Sequence, residues 1–232
     1  MRYKKIIFIA LLSINISATK IPNYEAEYYF KSEDISIKGI REFKNIDDGF
    51  KMRFMAERII ASMDITSEFK IYDNKIKSEI YDVKIKPKFL NKDQLINFDY
   101  INNLIISNGE NDWETNFLES SLILDPLNSQ IMIRMLIKDG LDNFDLNLID
   151  LKNGGYKLYS FKVIGKETCA LNDEIFTCTI LRRSDEDSDR SVTYYLAEEL
   201  DYMFIKIIDI RDDKTSSLEL DRKSTRLNSS HQ

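Results

Sequence analysis

The 232-residue sequence is poor in the residues that break or staple a chain: 7 Gly, 3 Pro and 2 Cys. Two cysteines are too few for a disulfide scaffold, so the fold must rest on a packed core. With glycine this scarce, turns that need positive φ fall to Asn and Asp, whose short polar side chains tolerate it. Tryptophan occurs once, as Trp113, and histidine once, as His231 beside the C-terminus. One terminal histidine excludes Ser–His and Cys–His nucleophile pairs within the body of the chain, and histidine zinc sites with them. A Gly-rich phosphate loop is also missing, since Asn153-Gly154-Gly155-Tyr156 reads as a hairpin turn. The balance of 39 acidic against 33 basic residues gives a formal net charge of −6, which disfavours nucleic acid. Carboxylates this numerous meet by chance, so Glu25/Glu27 and Glu198/Glu199 read as solvated faces rather than a hydrolytic pair. The expectation is a non-enzyme with no catalytic residue, metal site or cofactor.

Both ends differ from the middle. Arg2, Lys4 and Lys5 precede an apolar run from Ile6 to Leu12, and Ser17 and Ala18 supply small residues before Thr19 and Lys20. That order is expected of a secretory signal peptide over residues 1–18, and it places the mature protein in the periplasm. The run is shorter than the roughly 20 residues a permanent span needs. No transmembrane span is therefore expected in the mature protein, with a retained N-terminal anchor as the alternative. At the other end Asp221 to His231, DRKSTRLNSSH, resembles the translation of a sequencing-library adaptor. It holds one large apolar residue, Leu227, and no regular patterning, so residues 221–232 are expected to be an unpacked tail. Setting aside Arg2, Lys4, Lys5, Arg222, Lys223, Arg226 and Asp221 from the 33 basic and 39 acidic residues leaves 27 against 38, or −11.

Between residues 19 and 220 a single β-rich domain is expected. Period-2 alternation recurs in Tyr24/Ala26/Tyr28/Phe30, Tyr81/Val83/Ile85, Ile96/Phe98/Tyr100, Phe144/Leu146/Leu148, Tyr159/Phe161/Val163, Phe176/Cys178/Ile180 and Val192/Tyr194/Leu196. Such runs read as antiparallel strands with one packed face. Turn signals separate them at Asp47-Asp48-Gly49, Asp73-Asn74, Asn102-Asn103, Asn153-Gly154-Gly155 and Asn172-Asp173. The fold class predicted is mainly β: an antiparallel, strongly curved sheet, open or a partial barrel. One helix interrupts it near 125–139, with Asp125 as N-cap, Pro126 at the first turn and Gly140 closing the end. Leu127, Ile131 and Met135 form one stripe, but Met132, Ile133, Leu136 and Ile137 make nearly the whole circumference apolar. A helix apolar all round is buried. It either plugs the sheet or forms a lid whose Ile131 and Met135 face a ligand.

Cys169 and Cys178 flank the Asn172-Asp173 turn, and a symmetric hairpin is expected to set them directly opposite each other. A disulfide and two separately buried thiols are both open readings there. Trp113 is either an exposed, ligand-binding aromatic or a rim residue packed on the sheet edge. The acidic run at 185–189 reads as a solvated loop, because it lacks the Gly and distal Glu of a calcium loop.

Taken in order, these landmarks resemble the bacterial "domain of unknown function 3108" family of exported proteins. The resemblance is carried by Tyr24-Glu25-Ala26-Glu27-Tyr28, Ser67-Glu68-Phe69-Lys70-Ile71, Phe98-Asp99-Tyr100 and the helix entry Asp125-Pro126-Leu127-Asn128-Ser129-Gln130. It continues in Phe161-Lys162-Val163-Ile164-Gly165-Lys166-Glu167-Thr168 and Tyr194-Tyr195-Leu196-Ala197-Glu198-Glu199-Leu200-Asp201-Tyr202. The chain departs where the family has Trp, at Tyr100 and Tyr195. It departs again where the family has Pro after the Leu-Asp-Tyr element, and at Asn172 and Glu174, where the family has a hairpin Pro and Gly. The resemblance implies an exported, mainly antiparallel β protein and no known activity; its likeness to half-barrel lipoprotein carriers is analogy at the level of fold.

Two functions compete on these grounds. One is a periplasmic protein that binds a hydrophobic or lipid-like ligand in the cavity of its curved sheet, with Trp113, Ile131 and Met135 as candidate contacts and the helix gating access. The other is a non-enzymatic interaction or scaffold protein of cell-envelope assembly, with a protein partner.

Overall fold

The computed structural model describes residues 21–33, 36–58, 61–87, 92–118, 120–184 and 190–224. The segment 1–18 expected to be a signal peptide, the acidic run at 185–189 and residues 225–232 lie outside them. Eight strands come first: β1 (Tyr24–Lys31), β2 (Ser36–Ile46), β3 (Gly49–Arg58), β4 (Ala61–Tyr72), β5 (Lys75–Lys86), β6 (Gln94–Asp99), β7 (Leu104–Gly109) and β8 (Trp113–Asn116). A two-residue strand β9 (Ile123–Leu124) leads into helix α1 (Asn128–Lys138). Six strands follow: β10 (Asn143–Ile149), β11 (Tyr156–Leu171), β12 (Glu174–Ser184), β13 (Ser191–Ala197), β14 (Met203–Arg211) and β15 (Lys214–Ser224).

All fifteen strands join one sheet, in which β1 pairs with β2 on one side and β15 on the other. Two antiparallel meanders, β1 to β8 and β10 to β15, therefore meet at the chain's two ends. Among the described residues the one parallel pair is β9 with β10, the crossover that α1 makes necessary. Register shifts at Glu27/Tyr28, Glu68/Phe69, Val163/Gly165 and Tyr195/Leu196 are β-bulges, and each adds twist and bend. The sheet curls strongly but does not close, because β8 and β9 are its two edges. Side chains bridge the gap instead: Ser78 Oγ donates to the Ile123 carbonyl at 2.7 Å, and Asn111 Nδ2 to the Leu151 carbonyl at 3.2 Å.

The turns follow from the scarcity of glycine. Asp73 and Asn74 (φ 48° and 57°), and Asp212 and Asp213 (φ 49° and 61°), fill both central positions of two-residue hairpins. That is the left-handed pair that matches strand twist. The alternation read from β1 is also seen, since Tyr24, Ala26 and Tyr28 are buried.

Helix α1 sits inside the curl. Its first assigned residue is Asn128, three later than expected, yet Asp125 still caps it. Asp125 Oδ1 accepts the N–H groups of Leu127 (2.8 Å) and Asn128 (2.9 Å), and its carbonyl accepts that of Ser129 (3.0 Å). At the far end Gly140 (φ 85°) donates to Ile137 and Leu141 donates to Leu136, the paired bonds of a Schellman closure. Every helix residue from Ile131 to Met135 is buried.

The expectation for the tail is corrected over its first four residues. Asp221–Ser224 continue β15, with Arg222 opposite Glu27 and Ser224 opposite Glu25. Arg222 Nη2 donates to Glu27 Oε2 at 3.0 Å, and Asn172 Nδ2 to the Asp221 carbonyl at 3.1 Å. The backbone groups of β1 hold these residues whatever their side chains, because ladder bonds do not read sequence.

Candidate functional site

Helix α1 divides the interior. Asn128, Ile131 and Met135 share one helical face, since residues three and four apart stack on the same side. That face meets the first meander: Asn128 Nδ2 donates to Ser78 Oγ of β5 (2.9 Å), and Ser67 Oγ of β4 donates to Asp125 Oδ2 (2.6 Å). Ile131 and Met135 are 0% and 1% exposed. They pack in the core and are not among the residues that line the cavity described below.

The Asp125 network is itself unusual. Its carboxyl is fully buried, with Ser67, Asn128 and backbone N–H groups as partners. Burial raises its pKa to about 7, against the lowering influence of those hydrogen bonds. The network ties the start of α1 to β4 and β5, and it faces no open space.

The opposite helix face is different. Pro126, Ser129, Gln130 and Ile133, spaced as i, i+3, i+4 and i+7, form one wall of a cavity of about 780 Å³. The other wall is the concave face of β10 to β14, including Leu148, Phe161, Val192, Tyr194 and Ile207. Aromatic rings run across this face: Phe144 stacks on Phe161 (5.4 Å), Phe161 leans on Tyr194 (6.1 Å), and Tyr194 meets Phe204 edge-on (5.5 Å). Burial pushes the Tyr194 hydroxyl above its usual pKa.

Charge enters this face at its open end. Arg190 makes a bidentate pair with Asp209, Nε to Oδ1 at 2.9 Å and Nη2 to Oδ2, which raises the arginine's pKa further. Arg183 lies with its guanidinium carbon 4.7 Å from the Tyr159 ring centre. Its Nη2 is buried and has no hydrogen-bond partner among the described residues. A buried N–H left unpaired costs roughly 1–3 kcal/mol. Lys152, Lys157 and Arg211 complete the cationic lining. Nothing in the sequence pattern singled out Arg183. Alternation in β12 marks Phe176, Cys178 and Ile180 as the packed face, whereas β12 is buried on both sides from Cys178 to Leu181 and Arg183 lies on the other side.

Trp113 sits at the sheet rim rather than in the cavity. It is half-buried against Gly154, where an added Cβ would lie 3.0 Å from the indole and the φ of 82° already favours glycine. Cys169 and Cys178 are disulfide-bonded with Cα atoms 6.0 Å apart. They are not directly opposite, as the symmetric hairpin required. Cys169 pairs with Phe176 and Cys178 with Glu167, so the bridge runs diagonally. The two-residue turn at Asn172-Asp173 sets that register, two residues away from the expected one. Among the described residues no cluster of three or more His, Cys, Asp or Glu side chains is placed to hold a metal ion. None of their helices is long and apolar enough to cross a membrane.

No protein-family model and no curated protein matches the chain. The chain is similar in fold to a crystal structure of a beta-barrel-like protein of domain of unknown function DUF1849 from Brucella abortus. The TM-score is 0.58 at 8% identity, covering 88% of this chain and 98% of that one. At that identity the likeness establishes the fold alone: a curved β sheet shared with an uncharacterised bacterial domain.

Proposed function

We propose that this chain is an exported, non-enzymatic protein of the bacterial cell envelope that holds a lipid-like ligand between α1 and the concave face of β10 to β14. The single observation that carries the reading is the 780 Å³ cavity, which falls in the size range of small-molecule sites. Its inner part, with Ile133, Leu148, Phe161, Tyr194 and Ile207, takes an apolar tail, and burial stabilises the complex by about 25 cal/mol per Å² removed from water. Its outer part opens beside Arg190, Asp209, Arg211 and Asp212, which also line a shallower hollow of about 320 Å³. Entry runs past these residues, with α1, capped at both ends and buried, as a fixed wall in place of a moving gate. Export and a periplasmic setting rest on the signal-like order of residues 1–18. The resemblance to the domain of unknown function 3108 family points the same way.

The test is mass spectrometry of small molecules carried by the full chain purified from its native envelope. An amphiphile at close to one per chain is the expected result. A chain that carries none, and takes up no apolar probe afterwards, would sink the reading. The scaffold alternative draws on Ile101 and Leu118, 93% and 72% exposed, which follow the touching rings of Tyr100 and Phe117 at one end of the sheet. A defined envelope protein that binds the wild type and is lost with Ile101→Asp would favour it instead.

A further inference from the structure

Resting on the reading above, we infer that the cavity recognises an oxyanion, a phosphate or carboxylate, on its ligand, and that Arg183 is the residue that binds it. The sheet register places Phe161, Arg183, Val192 and Asp209 side by side across β11, β12, β13 and β14. All four line the cavity, so a guanidinium stands between a phenyl ring and a valine on an inward-facing row. Inward-facing charges occur where something neutralises them.

Among the described residues no carboxylate hydrogen-bonds the Arg183 Nη2. Asp209, the one acid in the row, has both oxygens committed to Arg190. Asp150, the second acid of the lining, accepts from the Lys152 and Asn153 N–H groups and from Asn153 Nδ2, and so is spent on its own turn. Asp212 is the third, in the left-handed hairpin turn it shares with Asp213. Against these three carboxylates stand five cations: Lys152, Lys157, Arg183, Arg190 and Arg211. Counted over its described residues, the lining is net positive in a chain whose formal charge is −6. Such a local inversion concentrates anions from a surface that otherwise repels them.

The geometry suits a planar or tetrahedral oxyanion. Arg183 lines the cavity with its guanidinium carbon 4.7 Å from the Tyr159 ring centre, and its buried Nη2 has no hydrogen-bond partner among the described residues. A guanidinium fork meets two oxygens at once, which an ammonium does not. Phe161 beside Arg183 and Tyr194 in contact with Phe161 line the same cavity, so a ligand with an anionic end and an apolar body fits both.

The test is calorimetric titration of the full chain with three probes below their micelle concentrations: dodecyl phosphate, an uncharged dodecyl ether and inorganic phosphate. Dodecyl phosphate is expected to bind at least tenfold more tightly than the ether, and Arg183→Gln to shrink that ratio below twofold. Equal binding of phosphate and ether by the wild type overturns the oxyanion proposal and leaves the cavity reading standing, without recourse to any variant. Inorganic phosphate that binds as tightly as dodecyl phosphate, in an Arg183-dependent way, supports oxyanion recognition, assigns a free anion as its source and removes the apolar tail. Failure of all three probes overturns both readings together.

Discussion

The two meanders are built alike and filled differently. Inside β1 to β8 the space is occupied by side chains. Phe43, Phe50 and Phe69 stack in a triangle with centroids 5.6–6.3 Å apart, and Met52, Ile76, Ile96 and Ile105 are fully buried around them. Inside β10 to β14 the same curl leaves about 780 Å³ open. The difference lies in α1, which presses Asn128, Ile131 and Met135 toward the first meander and borders the open space with Pro126, Ser129, Gln130 and Ile133. One helix, packed off-centre, makes one half a core and the other a container. A site can therefore arise from where a packing element leans, with no motif of its own.

The largest contrast should come from deleting side chains. Phe69→Ala, at a fully buried position in the filled half, is expected to cost about 3–5 kcal/mol in denaturant titration. Ile207→Ala on the cavity wall is expected to cost about 1 kcal/mol, because that side chain already borders open space. Similar costs would mean the hollow half is as tightly packed as the other.

The attachment of α1 to the filled half is expected to depend on pH. Burial holds the Asp125 carboxyl at about 7 in the folded chain, against 3.8 ordinarily, so its ionisation works against folding. Its stabilising contribution is complete below about pH 4 and is lost as pH rises to about 7. The loss is on the order of 4 kcal/mol. Asp125→Asn should flatten the stability profile across that window, and an unchanged slope would remove Asp125 from the account.

Smaller again is the staple on the hollow half. Reducing Cys169–Cys178, nine residues apart, is expected to lower stability by about 2–3 kcal/mol, the entropy of a short loop. The effect should appear as faster hydrogen exchange in β11 and β12 while β2 to β5 keep their protection.

The sequence made the walls legible and the container illegible. Alternation in β1 and β13, the Asp125 cap, the Gly140 stop and the Asp/Asn turns are local signals, and they predicted the curved sheet with its buried helix. Arg183 left no such signal. In Leu181-Arg182-Arg183-Ser184 both arginines look solvated, and only the register with Phe161 and Val192 turns one of them inward. Apolarity alone does not tell which face of a buried helix meets side chains and which meets space, so Ile131 and Met135 read from the sequence as candidate ligand contacts although both pack in the core. The Cys169–Cys178 pairing was approachable from the hairpin, but its diagonal register depended on where the turn fell.

The most direct test adds a single carbon to each half. In the filled half, a Cβ at Gly39 would overlap the Phe54 ring and come within 2.9 Å of the Met55 carbonyl, so Gly39→Ala is expected to cost about 1–3 kcal/mol. In the hollow half, Val192→Leu extends a side chain into the cavity and is expected to change stability by less than about 0.5 kcal/mol. Chemical denaturation of the two variants side by side decides the matter. A large loss for Gly39→Ala beside a negligible one for Val192→Leu is the predicted result; equal losses would contradict a molecule with one filled half and one hollow one.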